Sequence, residues 1–181
     1  MRKSLPAVSD GTSQSLCQSC ALCCDGTLFS KVPLDPAEAG ILPNLGFDVV
    51  AAEHPAHFTQ PCVKLVDSSC SVYAERPKNC RAYRCRILRR LENGELSAGE
   101  AQALVNKVKS LASTASEFLA SIGDRSSGLC ARLEELAKRE NLKLEDSEFS
   151  RRHSLLGMHI IMLRHLLDEE FTRKKPPGDL I

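Results

Sequence analysis

Apolar side chains in the C-terminal half of this chain follow a helical spacing. Between residues 101 and 122 they recur in steps of three and four positions, which is the spacing of one buried helix face. Ser97 and Glu100 stand three positions apart, as in a capping box that opens a helix. Similar stripes predict two further helices, over Ser127–Glu140 and Ser147–Phe171. We therefore expect a helical hairpin or bundle here.

The first half lacks this periodicity and predicts only short elements. Thr27–Leu34 follows an Asp-Gly turn signal and is typical of a strand. Asp35 and Pro36 have the residue types of a helix cap and a first helical position. Residues 62–66 and 70–73 flank Asp-Ser-Ser, which predicts a hairpin that brings Cys62 and Cys70 close together.

A helix is also predicted from Pro77 to Gly94. Tyr83, Ile87 and Leu91 recur there at four-residue spacing, and glycine is a common helix stop. Residues 1–16 are polar and rich in serine, so we expect a flexible arm. The patterns together predict a mainly α protein with a small, irregular α+β cysteine-rich lobe and a C-terminal helical bundle.

Composition adds one strong signal, which is cysteine. The chain of 181 residues contains nine cysteines, and eight of them lie between Cys17 and Cys85. The net charge is +1, so global charge attracts the protein neither to nucleic acid nor to a membrane. No apolar run approaches the length of a membrane span, and the N-terminus lacks the apolar core of a secretory signal.

These features predict a cytoplasmic protein whose thiols stay reduced. In that setting a cysteine cluster is more typical of a metal site than of disulfides. A framework of four disulfides is the alternative if the compartment is oxidising.

The first cluster is Cys17-x2-Cys20-x2-Cys23-Cys24. Two residues between thiolates allow a tight loop to direct both sulfurs to one centre, and bacterial ferredoxins use a similar C-x2-C-x2-C run for a 4Fe–4S cluster. Structural zinc more often takes two short cysteine knuckles from separate segments. The side chain of Cys24 should diverge from that of Cys23, so it serves a second centre or bridges two metals.

The second cluster is spread over the chain, at Cys62, Cys70, Cys80 and Cys85. Cys80 and Cys85 would lie about 140° apart on one helix, so both cannot face one point from within it. We expect Cys80 at or just before a helix start, where the helix dipole favours a thiolate. The eight cysteines fit one iron–sulfur cluster with four spare thiols, two zinc sites, or a bridged dinuclear site.

A longer pattern resembles a known family. The run of four cysteines, then Pro61-Cys62, then Cys70-Ser-Val-Tyr-x2-Arg-Pro-x2-Cys80-Arg-x-Tyr83 is similar to the YkgJ-like cysteine-cluster family, also called the CxxCxxCC zinc- or iron-chelating domain. The resemblance covers residues 17–85 and implies bound zinc or iron. A similar domain occurs in flagellin lysine N-methylase, where an iron–sulfur cluster is implicated. We do not transfer that activity, because this chain is shorter and only the cysteine motif matches.

Residues 76–90 include seven basic side chains and no acidic one. A nucleic-acid contact face is one interpretation, but aromatic residues for base stacking are scarce. We favour charge compensation at an anionic metal site, by Arg76, Arg81 and Arg84. His54 and His57 are spaced as a minor ligand pair, but we interpret them as surface or loop residues. Cys130 stands apart from the cluster.

The chain divides into an arm (1–16), a cysteine-rich chelating domain (17–94), a helical region (95–172) and a tail (173–181). We expect the protein to bind zinc or iron, or a 4Fe–4S cluster, in a redox or metal-handling role. An iron–sulfur enzyme that transfers groups to protein side chains is one alternative. A zinc-stabilised module that binds a protein through its C-terminal helices, or nucleic acid, is another. The expected metal ligands are Cys17, Cys20, Cys23, Cys24, Cys62, Cys70, Cys80 and Cys85.

Overall fold

The computed structural model describes residues 10–120, 128–141, 147–152 and 154–172. It is mainly α with a small α+β part, as expected. The helices are α1 (Asp10–Cys20), α2 (Pro36–Ala39), α3 (Lys78–Ala82), α4 (Arg86–Glu92), α5 (Ala98–Ala120), α6 (Leu129–Arg139), α7 (Ser147–Arg152) and α8 (Ser154–Leu166), with a 3-10 turn at Leu42–Leu45 and a π-helical turn at Leu167–Thr172. The strands are β1 (Lys31–Pro33), β2 (Val49–Val50), β3 (His57–Thr59), β4 (Leu65–Val66) and β5 (Ser69–Cys70).

The capping box before α5 is confirmed. The backbone N–H of Ser97 donates to the Glu100 carboxylate at 2.8 Å, and the backbone N–H of Glu100 donates to the Ser97 hydroxyl at 3.3 Å. The predicted inner face is also confirmed as far as residue 119, because its apolar residues are buried or packed against the core, and residue 122 lies outside the described residues. Helix α8 packs along α5 and buries Ile160 and Leu163.

The expected flexible arm is wrong for residues 10–16, which form most of α1. This helix packs on α4 and α5 and buries Ser13 and Leu16. Its own apolar periodicity is weak, so tertiary packing stabilises a helix that local sequence does not indicate. Residues 1–9 and the expected tail at 173–181 lie outside the described residues.

The helix expected from Pro77 to Gly94 is two helices, α3 and α4. Tyr83 is extended, with φ −70° and ψ 122°, and ends α3. Cys85 caps α4, because its sulfur accepts a hydrogen bond from the Leu88 N–H at 3.4 Å. Because of this interruption, Cys80 and Cys85 belong to two different helical segments. The strand expected at Thr27–Leu34 is also shorter. The helix expected at 147–171 is helical on both sides of residue 153, which lies outside the described residues, and its last part is the π-helical turn.

The apolar residues form two cores. The larger unites α1, α4, α5, α6, α8 and the π-helical turn. It includes Leu91 and Val105, which lie on opposite sides of the domain boundary expected at residue 94. The smaller lies around the antiparallel sheet, whose strand order is β1-β3-β2. Its buried members are Val32, Leu34, Leu42, Phe47 and Phe58.

The hairpin between residues 62 and 73 is confirmed in a short form. Leu65 pairs with Cys70, and Val66 pairs with Ser69. Asp67 and Ser68 both have positive φ, which matches the tight turn of a two-residue hairpin. None of the helices among the described residues has the length and apolar character that a membrane span requires.

Candidate metal centre

The end of α1 determines how the first cysteine run is presented. Cys17 and Cys20 lie in the last turn of the helix, and Ala21 adopts a left-handed φ of 58° that ends it. The N–H of Cys24 then donates to the Ala21 carbonyl at 2.7 Å. This tight turn follows α1 directly, so Cys17 and Cys20 lie on the helix and Cys23 and Cys24 lie in the turn after it.

Four thiols form the inner set, defined as Cys17, Cys20, Cys23 and Cys85. Cys20, Cys23 and Cys85 pack against the large core. The inner set borders a cavity of about 60 Å³ whose other walls include Leu22, Ile87 and Phe171. The cavity lies between the end of α1 and the start of α4.

Burial is the largest cause of the raised pKa values of Cys20, Cys23 and Cys85. Burial and, to a smaller extent, the neighbouring thiolates of Cys85 and Cys17 raise the pKa of Cys20 to about 12. Burial raises the pKa of Cys23 well above its usual value, with further increases from Cys20, Cys85, Cys24 and Cys17. Metal binding replaces the thiol protons and stabilises the thiolates, so a cation would reverse these shifts.

The other four thiols form the outer set, defined as Cys24, Cys62, Cys70 and Cys80. The Cys62 N–H donates to the Cys24 carbonyl at 2.8 Å, which joins the first run to the hairpin. Cys62 and Cys80 pack against the small core, not the large one. Burial and, to a smaller extent, the thiolates of Cys62, Cys70 and Cys80 raise the pKa of Cys24 to about 12.

The two sets are adjacent. Cys24 also borders the inner cavity, and Cys17 is the next contributor to the raised pKa of Cys24. Among the described residues, no three side chains of His, Cys, Asp or Glu are already arranged as a closed ion site. Binding of a metal would therefore bring the thiols of one set closer together around it.

Each set has cationic neighbours. Lys109 lowers the pKa of Cys20, and Arg89 lowers that of Cys85. Around the outer set, Arg76 lowers the pKa of Cys80 and Lys64 lowers that of Cys62. These contributions are smaller than that of burial, but they match the compensation that an anionic thiolate site needs.

The predicted compensating arginines differ in their placement. Arg76 lies near Cys80, with its guanidinium 3.5 Å from the Tyr73 ring centre. Arg84 approaches the Glu92 carboxylate at 3.5 Å, and the side chain of Arg81 is exposed. Arg89, which we did not include among the compensating residues, is beside Cys85.

Two tyrosines border the thiols and were not assigned a role from sequence. Tyr83 lines the inner cavity, and its hydroxyl donates to the Phe171 carbonyl at 3.4 Å. Its pKa is raised by burial first and then by the thiolates of Cys23 and Cys85. Tyr73 shares a side-chain hydrogen bond with Cys17. In the sequence, Tyr83 is indicated only by the Cys-Arg-x-Tyr string. That string does not distinguish a tyrosine of the core from a tyrosine of the site.

The expectation for the histidines is correct for one of them. His54 is exposed in a loop. His57 is instead buried in β3, with Nδ1 3.8 Å from the Glu53 carboxylate. Cys130 lies on α6, where its sulfur is 3.5 Å from the Glu134 carboxylate.

Comparison with family models provides the deciding observation. The model named CxxCxxCC, described as a "Putative zinc- or iron-chelating domain", matches residues 16–117, more than half of the chain. The chain belongs to the CxxCxxCC family. Comparison with curated proteins and with solved structures found no match.

The family match extends beyond the cysteines into α5, which packs against α1. The part of the large core that α1, α4 and most of α5 contribute therefore lies within the matched region, whereas the buried residues of α6, α8 and the π-helical turn lie beyond it. Family membership supports zinc or iron chelation and does not by itself distinguish the metal or its form.

The residues present fit such a metal. Each set offers four thiols, and soft thiolate ligands select zinc and iron–sulfur clusters over magnesium or calcium. Four thiolates complete either a tetrahedral zinc site or a 4Fe–4S cluster. The apolar walls of the inner cavity would exclude water from the metal.

Proposed function

We propose that this CxxCxxCC protein binds zinc or iron, including iron as a 4Fe–4S cluster, and acts in redox chemistry or metal handling. The proposed ligands are the eight cysteines of the inner and outer sets. One observation supports this most strongly. Thiols from the end of α1, the loop after it, the hairpin, α3 and the start of α4 become near neighbours although they span residues 17–85.

The chain's own residues would supply three things to such a metal. Eight thiols provide the ligands, four cationic side chains offset their negative charge, and apolar side chains exclude water from the inner set. A bound iron–sulfur cluster would supply one-electron transfer, at a potential that depends on its hydrogen bonds and exposure. These features suit electron transfer or metal storage without requiring a substrate cleft.

An interaction module is a second candidate, because α8 exposes a contiguous apolar face. Leu155, Met158, Ile161 and Met162 are each more than half exposed. Exposed apolar patches of this kind often mark contacts with other proteins. In this reading the metal stabilises the fold, and the helices bind a protein partner.

Metal content tests the proposal directly. The full chain should be purified without oxygen and analysed for iron, zinc, acid-labile sulfide and its visible spectrum. We expect tightly bound metal that survives gel filtration and is retained in Cys130→Ser, since Cys130 lies outside both sets. Metal-free protein with eight reactive thiols would refute the proposal.

A further inference from the structure

We infer that the eight cysteines form two separate centres of different kinds, an iron–sulfur cluster in the inner set and a structural zinc in the outer set. This inference rests on the proposed function and specifies how its ligands are divided. The dividing point falls between two adjacent residues, Cys23 and Cys24.

Local packing supports the division. Cys23 packs against the large core together with Cys20 and Cys85. The backbone of Cys24 instead hydrogen-bonds to Cys62, whose side chain packs against the small core together with Cys80. Two adjacent residues are thus joined to different cores, Cys23 through its side chain and Cys24 through the backbone hydrogen bond from Cys62. A single metal ion has no more than four thiolate positions, so eight thiols divided this way indicate two centres.

The surroundings of the inner set favour a cluster over a single ion. Three of its thiols come from one C-x2-C-x2-C run, which is the arrangement that ferredoxins use for three corners of a 4Fe–4S cluster. Cys85 supplies the fourth from a remote segment. The set also borders a cavity of about 60 Å³ with apolar walls, where water lacks hydrogen-bond partners. A polynuclear cluster uses such space, whereas a mononuclear ion needs only the room between four sulfurs.

The surroundings of the outer set favour a structural ion. Its cysteines come from separate segments, namely the loop after α1, the two arms of the hairpin segment and α3, and four thiolates complete a tetrahedral zinc site. The core beside it has only five buried apolar residues, and its strands are two or three residues long. So little buried area cannot stabilise short strands alone. A four-thiolate zinc contributes folding free energy directly.

Two adjacent substitutions test the division. Cys23→Ser and Cys24→Ser are to be made separately in the full chain and purified without oxygen beside the wild type. The wild type should contain about four irons with matching sulfide and about one zinc. In Cys23→Ser the iron content, the sulfide content and the visible absorption should each fall at least tenfold, while the zinc content is unchanged. Cys24→Ser should lose most of its zinc while iron and sulfide remain.

Several results would overturn the inference. Loss of both metals in both folded variants would indicate one bridged site, and two zincs without iron in the wild type would refute the inner assignment. Metal-free wild type would instead refute the proposed function itself. If Cys24→Ser does not fold, zinc X-ray absorption of the unmodified protein decides the outer site. Four sulfurs at about 2.3 Å support it, and any nitrogen or oxygen ligand contradicts it.

Discussion

Gly128→Ala should weaken the contact between the cysteine loop and the C-terminal helices. Gly26, two residues after the first cysteine run, lies against Gly128 at the start of α6. A Cβ atom on Gly128 would stand 2.6 Å from the Gly26 Cα, where ordinary contact begins at 3.4 Å. Gly128 itself has φ −62° and ψ 159°, which alanine adopts without strain. The substitution therefore tests the close approach alone.

The expected magnitude follows from two effects. The backbones must separate by most of an ångström, and overpacking of this kind costs about 1–3 kcal/mol. The separation also lengthens the hydrogen bond from the Cys130 N–H to the Gly26 carbonyl, now 2.8 Å. A hydrogen bond of this type contributes about 0.5–1.5 kcal/mol. We expect the free energy of unfolding to fall by about 1.5–4.5 kcal/mol in total.

Urea unfolding followed by circular dichroism measures this change on the metal-loaded protein. Metal release to a competing chelator should be recorded on the same samples, because Gly26 follows the cysteine run closely and a displaced loop should release metal faster. Gly99→Ala is the matched control. A Cβ on Gly99 meets nothing within 4 Å, and the residue lies in α5.

The control should be neutral or stabilising by up to about 1 kcal/mol, since alanine is the better helix former. If Gly128→Ala matches the wild type in both unfolding midpoint and metal release, the close approach of the two backbones does not exist in solution. Equal losses in Gly99→Ala would show that the effect is not specific to this contact.

Three further predictions concern the cavity, the small core and pH. Phe171→Ala should lower the free energy of unfolding by about 3–5 kcal/mol and speed the loss of the proposed iron in air, because Phe171 is 2% exposed and lines the inner cavity. Iron retention equal to that of the wild type, followed by absorption spectroscopy, would contradict this prediction. Asp35→Ala should lower the urea unfolding midpoint, since Asp35 caps α2 and approaches Lys78, in the helix that carries Cys80, at 2.9 Å. Lys78→Met removes only the exposed ion pair and should lower the midpoint less. Burial raises the pKa of several thiols in the folded state, so the folded metal-free protein is stabilised while these thiols are protonated. This stability is fully present below the pKa of an unfolded thiol, about 8.5, and is lost as the pH rises toward the pKa values of the folded state. The thiols with a pKa of about 12 are Cys20, Cys24 and Cys80. The unfolding midpoint of the metal-free protein should therefore fall as the pH rises above about 8. A midpoint that does not change with pH would show that the thiols are not buried.

Local chemistry explains which elements could be predicted. The α5 capping box and inner face follow from residue spacing alone, as does the cap of α2 by Asp35. The hairpin that brings Cys62 and Cys70 together also has a local turn signal. In each case the deciding interactions join residues a few positions apart.

Where long-range packing decided the structure, the predictions were less accurate. Residues 10–16 are helical because Leu16 is buried between distant helices, which polar local sequence cannot show. The break between α3 and α4 depends on Cys85 acting as a helix cap. His57 is buried because its strand lies at the centre of a three-stranded sheet.

For the site, the sequence by itself determined the ligand chemistry. The eight thiols predict zinc or iron, and the longer pattern that runs from the first cysteine run to Tyr83 indicates the family. The proposed grouping of the thiols depends on the tertiary structure. Cys23 packs against the large core, whereas the Cys24 carbonyl accepts a hydrogen bond from Cys62, which packs against the small core. The grouping depends on which distant segments pack beside each thiol, and the spacing of the cysteines along the chain contains no information about that packing.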